Sequence, residues 1–152
     1  MTDKIALIGA GAMGGAIGAR LVATGTQLAV FDPDPAKLAP LVATGATAAP
    51  SAAAAATRVR AVIVSLNAPH IVRAAVFGPG GAAEGAAPGT LIIDMSSIDP
   101  EATKALAADA AAKGLHWVDS PLSGGIPKAA KGELTLMQGG APEDVASAQA
   151  IM

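Results

Sequence analysis

The stretch IALIGAGAMGGAIGARLVATG, positions 5–25, constrains this chain more than any other. A short apolar run passes into Gly9-x-Gly11-x-x-Gly14 and then into a helix-favouring segment. A bare glycine pattern means little in a chain with 18 glycines, but its place between a strand and a helix gives each glycine a mechanical task. Gly9 permits the tight turn, Gly11 lets the backbone approach a pyrophosphate, and Gly14 lets the helix close on the strand. The amides that open the helix, those of Ala12 and Met13 among them, have no partners within it. They point the helix's positive end at an anion. Met13 would also pack its side chain nearby.

Asp32 supplies a second marker. It closes the next apolar run, QLAVF, 21 residues beyond Gly11, where an acid can accept both hydroxyls of an adenosine ribose. A 2′-phosphate there would face a like charge, an opposition on the order of 4 kcal/mol at ~4 Å and an effective dielectric near 20. No cation follows until Lys37. NAD is therefore expected in preference to NADP. The competing reading of Asp32 is an ordinary turn aspartate within DPDP.

Strand-like runs alternate with alanine-rich helical ones. KIALIG (4–9), QLAVF (27–31), AVIVSL (61–66), TLIIDM (90–95), LHWVD (115–119) and ELTLM (133–137) read as strands. The first four are almost continuously apolar, as strands covered on both faces must be. Helices are expected near 12–24, 35–43, 52–58, 69–76 and 99–112. Gly25, Gly45 and Gly114 stand at helix ends, and Ser51 and Asp99 at helix starts. GPGGAAEGAAPG (78–89) reads as a flexible surface loop. The sum is an α/β fold, a doubly wound and mostly parallel sheet. The final segment, APEDVASAQAIM, opens a helix that carries no stop signal. We therefore expect one domain, 1–152, truncated within its last helix.

Composition closes off other classes. A chain of 152 residues, 52% hydrophobic and 14% charged, is one folded domain whose aromatic-poor core is built from aliphatic side chains. A net charge of −2 offers no basic field for nucleic acid. No apolar run approaches the roughly 18–20 residues of a membrane span. The first residues read as strand and turn and not as a targeting segment, so a cytoplasmic setting is expected. The chain lacks cysteine and tyrosine, which removes thiol chemistry and the Tyr-x-x-x-Lys proton donor. His70 and His116 are far apart in sequence, and no metal site is expected.

A second cluster falls after the fourth and fifth long runs. MSSI and SPLSGG bring Ser96, Ser97, Ser123, Gly124 and Gly125 to the strand ends that form the cleft of such a sheet. Consecutive glycine amides can hold a carboxylate, and a serine hydroxyl can donate to it. Ser123 lacks the Gly-x-Ser-x-Gly elbow and a placed base, so it is not read as a nucleophile.

Four stretches in order, GAGAMG, NAPHIVRAAVFG, DMSSIDPEA and DSPLSGGIPKAAKGELTLMQGG, resemble the nucleotide-binding domain of the β-hydroxyacid dehydrogenases. That family includes 3-hydroxyisobutyrate, tartronate semialdehyde and L-threonate dehydrogenases, and the second and fourth stretches lean towards the threonate branch. The resemblance covers essentially the whole chain. It implies a Rossmann-like fold, NAD as cofactor, a small hydroxy-acid substrate and, for a full-length enzyme, a homo-oligomer. It implies that Ser97 contacts the nicotinamide end, that Ser65, Leu66 and Asn67 line the nicotinamide ribose, and that Ser123, Gly124 and Gly125 contact substrate. Many relatives carry Leu-Pro-Asn where this chain has SLN. The family's general acid/base is a lysine in a Gly-x-x-x-Lys-x-x-x-Asn pattern on a helix of a second, all-helical domain. That pattern is absent here; Lys128 and Lys131 do not match it. No catalytic residue is therefore assigned, and the chain alone is expected to turn over poorly. A stand-alone nucleotide-binding or sensor module without catalysis is the rival reading.

Overall fold

The structure, a computed structural model, describes residues 3–152. Met1 and Thr2, the first residues of the expected domain and of the stretch in which no targeting signal is read, lie outside the described residues. Six strands form one parallel sheet: β1 (Ile5–Ile8), β2 (Leu28–Phe31), β3 (Thr47–Ala48), β4 (Ala61–Val64), β5 (Leu91–Asp94) and β6 (His116–Asp119). Their spatial order is β3-β2-β1-β4-β5-β6, so the chain reverses direction of travel between β1 and β4. Every residue of β1, β4 and β5 is buried, which explains why these runs do not alternate.

Helices cover both faces. On one lie α1 (Ala12–Ala23), α2 (Pro35–Thr44) and the later α7 (Gly125–Lys131) and α8 (Pro142–Ile151), which share a core of Leu7, Ile17, Leu21, Val30, Leu41, Ile63 and Ile93. On the other lie α3 (Ala52–Ala55), α4 (Pro69–Phe77), α5 (Ala82–Gly85) and α6 (Pro100–Ala112), around Ile8, Val62, Val72, Val76, Ile92, Leu106 and Trp117. The expected caps are present: Ser51 Oγ accepts from the Ala54 amide at 3.0 Å, and Asp99 Oδ1 from the Ala102 amide at 2.9 Å. Gly25, Gly45 and Gly114 adopt the left-handed backbone of helix ends. Among the described residues no helix is long and apolar enough to cross a membrane.

Three expectations need correction. ELTLM does not join the main sheet. Its β8 (Thr135–Leu136) pairs antiparallel with β7 (Leu122–Ser123) as a separate ribbon. Within the glycine loop that these strands flank, the chain forms the two turns of α7. GPGGAAEGAAPG is no loose surface loop either: α5 lies inside it with Ala82 fully buried, and a Cβ on Gly85 would stand 1.9 Å from the Ala53 carbonyl oxygen. Glycine there serves helix-to-helix contact and not flexibility, so its usual value as a loop signal misleads. The short edge strand β3 was not anticipated at all; two half-polar residues carry no periodicity to read.

Candidate functional site

The carboxyl ends of β1, β2, β4, β5 and β6 lie along one edge, and every candidate residue sits there. Gly9 has φ +97°, and a Cβ on it would meet the Ser65 carbonyl oxygen at 2.2 Å. Only glycine fits, because the turn both needs a left-handed backbone and presses on the loop after β4. A Cβ on Gly14 would stand 2.1 Å from the Gly9 carbonyl oxygen, so the helix rests directly on the turn. Gly11 differs: nothing among the described residues lies within 4 Å of where its Cβ would be. Space therefore stands open above it. Gly11 is also the N-cap of α1, with no side-chain cap bond and no acid in the first turn. The helix thus opens with unneutralised amides facing that space.

Asp32 is held from two sides. Its Oδ2 accepts from the Ala10 amide and its Oδ1 from the Asp34 amide, both at 2.9 Å. Beside Gly11 and Ala12 runs a groove of about 420 Å³ lined mainly by small and apolar side chains of α1 and α2, with Lys37 at its border.

At the other side of the glycine turn lies a cleft of about 270 Å³ lined by Met13, Ser65, Leu66, Asn67, Met95, Ser96, Ser97 and Leu122. The fold thus brings five sequence-nominated residues, Met13, Ser65, Leu66, Asn67 and Ser97, around one space. Ser97 and Asn67 are exposed to it. Ser123, Gly124 and Gly125 are not part of that lining; they follow directly on Leu122, exposed, with Gly124 and Gly125 both at positive φ. α7 packs on α1 through Ala129, which seats this loop beside the turn that precedes α1. Lys128 lies with its stem over Gly124, where a Cβ would be 2.9 Å from its Cδ.

Ser96 plays a different part from Ser97. It is 2% exposed, and its Oγ accepts from the Leu66 amide at 3.0 Å, which ties the loop after β5 to the loop after β4. Its own amide donates to Asp94 Oδ1 at 3.0 Å. Asp94 is wholly buried, and its Oδ2 has no partner among the described residues. Burial pushes its carboxyl up to about 6. Hydrogen bonding by Ser96 opposes that rise, and the Asp119 charge on the neighbouring strand adds to it. Burial also raises the Asp119 carboxyl. The Asp94 carbonyl accepts from the Ser120 amide at 2.7 Å, and Ser120 Oγ accepts from Gln138 at 3.2 Å. Sequence reading passed over Asp94 and Ser120. The signal for Asp94 was present: in TLIIDM it lies between Ile93 and Met95, within the apolar run, whereas Asp32 follows its own.

Known proteins resemble the chain over nearly its whole length. A family model described as the NAD binding domain of 6-phosphogluconate dehydrogenase matches residues 4–152. The 2-(hydroxymethyl)glutarate dehydrogenase of Eubacterium barkeri is 40% identical over 136 residues, 90% of this chain and 45% of that protein. The structure of Mycobacterium tuberculosis 3-hydroxyisobutyrate dehydrogenase with L-serine is 32% identical with a TM-score of 0.92, covering 99% of this chain and 51% of that one. The structure of Psf3 in complex with NADP+ and 2-OPP is 29% identical with a TM-score of 0.92, covering 97% and 52%. The chain thus spans about half the length of the relatives it matches.

Proposed function

This chain belongs to the family of NAD-binding domains represented by that of 6-phosphogluconate dehydrogenase, and from that premise we propose that it seats NAD for hydride transfer between the cofactor and a small 3-hydroxy acid, 3-hydroxyisobutyrate-, tartronate semialdehyde- or threonate-like. One observation carries the reading. An uncapped helix N-terminus under the open space at Gly11 lies beside a cleft lined by Met13, Ser65, Leu66, Asn67 and Ser97, and the Ser123–Gly125 loop adjoins that cleft. The relatives with hydroxy-acid names support the substrate class.

Bound there, the cofactor would accept or give the hydride at its nicotinamide ring. The amides of Ala12 and Met13 would hold the pyrophosphate, which the space above Gly11 admits. Asp32 has two oxygens and about four acceptor sites, two of them already used, so it can still accept from ribose hydroxyls. Ser97 and Asn67 would orient the nicotinamide end, and Ser123 with the Gly124 and Gly125 amides would receive the acid. No residue of the cleft is placed as proton acceptor. Lys128 and Lys131 are exposed on α7 and outside the lining. General acid/base catalysis is worth typically about 10²–10⁴-fold, so turnover by this chain alone is expected to be slow.

Fluorescence titration with NADH and NADPH tests the reading. Saturable binding with NADH favoured is expected. Absence of binding by either nucleotide would sink it.

A further inference from the structure

We propose that Asp94 is a positioning residue for the nicotinamide end of the cleft, acting through Ser96 on the loops that carry Leu66 and Ser97. The proposal rests on the NAD-binding reading above. Asp94 ends β5 with its side chain wholly buried and outside the cleft lining, so it touches no ligand. Its influence is relayed. Oδ1 accepts from the Ser96 amide at 3.0 Å, and Ser96 Oγ accepts from the Leu66 amide at 3.0 Å. These two bonds fix the relative place of the loop after β4, with Ser65, Leu66 and Asn67, and the loop after β5, with Ser97. Both loops line the same cleft. From its main chain the same residue accepts the Ser120 amide at 2.7 Å, which fixes the exit of β6 towards Ser123. Three of the cleft's walls are thus referenced to one residue.

A buried carboxylate is a costly way to hold one amide, since a neutral side chain of similar shape would avoid the desolvation. Its gain is a charge-assisted bond, about twice as strong as a neutral one. That gain exists only while the carboxyl is ionised. Protonation would leave Ser96 with a weaker acceptor and slacken both loops. The groups around Asp94 do not compensate it. β4 presents Val64 at the matching register position, and β6 presents Asp119, a like charge. On α6, Lys104 is exposed and paired with Glu101, and Asp109 pairs with Arg73 of α4.

The test combines calorimetric titration with NAD+ between about pH 5 and about pH 8 and amide exchange of Ser96 and Leu66, on the wild-type chain and on Asp94→Asn. We expect wild-type affinity to fall in acid, and Asp94→Asn to bind about 10-fold more weakly at neutral pH with no acid limb. Leu66 should exchange faster in Asp94→Asn, and in the wild type as the carboxyl is protonated, relative to Ile93 in the same sheet. Equal affinity, equal pH profile and equal Leu66 protection in the two proteins would overturn the proposal while leaving cofactor binding intact. No NAD+ binding by the wild type at any pH would overturn the cofactor reading and this proposal with it. Should Asp94→Asn fail to fold, the wild-type profile and exchange decide alone: an acid limb with loss of Leu66 protection supports the proposal, and a flat profile refutes it.

Discussion

The Asp32 carboxylate accepts a hydrogen bond from the backbone amide of Ala10, 22 positions earlier, at 2.9 Å. The acid at the end of β2 therefore braces the turn that follows β1. It does so while its second oxygen is held by the Asp34 amide. These two bonds meet the turn-aspartate reading of Asp32, and the residue stands at the edge of the sheet where we propose that an adenosine ribose binds.

That double duty gives a test of nucleotide choice. Asp32→Asn keeps an acceptor for Ala10 but removes the charge. We expect the preference for NADH over NADPH to narrow by about 10-fold or more, chiefly through tighter NADPH binding, and the wild-type discrimination to weaken with added salt. Paired fluorescence titrations at low and high ionic strength would measure it.

The glycine turn separates folding from binding. Gly14→Ala forces a Cβ to within 2.1 Å of the Gly9 carbonyl oxygen, and should cost about 1–3 kcal/mol or more by overpacking. Gly11→Ala meets nothing within 4 Å and has an ordinary backbone, φ −64°, so thermal stability should stay near wild type while NADH binding is lost. Melting curves and titrations on the two variants decide. A Gly11→Ala protein that binds NADH normally would show the open space to be irrelevant.

Asp94 should also write itself into the pH dependence of stability. Its carboxyl is raised from 3.8 to about 6 in the folded chain, so between those values the folded state keeps a proton that the unfolded state has released. Stability must then fall as pH rises through this window, by about 3 kcal/mol, and level off above it. Asp94→Asn lacks that slope. Thermal unfolding of both proteins in steps from about pH 4 to about pH 7 should show the wild type losing ground to the variant on the way up. Parallel curves would contradict the burial of this charge.

Gly85→Ala tests the unexpected packing of α5. The new methyl would stand 1.9 Å from the Ala53 carbonyl oxygen on α3, and a loss of about 1–3 kcal/mol is expected in chemical denaturation. NADH affinity, read at the opposite edge, should be unchanged.

How much of this was legible in the chain depends on where the determining contact lies. β1, β4 and β5 announced themselves because burial on both faces leaves a continuous apolar run. The caps at Ser51 and Asp99 were readable because cap and amide are three residues apart. The Gly9-Gly11-Gly14 turn was readable because its spacing is local too. α5 and α7 were not, since Gly85 in α5 serves a contact with Ala53 and Gly132 at the end of α7 one with Arg20, both remote in sequence. Ser96 shows the same limit within the site. Its neighbour Ser97 has the same chemistry, but only the distant Leu66 amide reveals which hydroxyl is committed to the fold and which is left for a ligand.

The seating of α7 on α1 has a consequence for distance. Packed helices stand about 8–10 Å apart, a gap set by the side chains between them. Here those are small: Ala129 is buried in the contact, and Arg20 crosses Gly132 so closely that a Cβ there would stand 2.6 Å from its Nε. On the proposed reading, the interval between a dinucleotide's reactive ring and an acid's carboxyl end would be gauged by a shim of alanine and glycine that touches neither molecule. A shim thickened by one methyl would then be expected to move the two ligands apart while each kept its own contacts.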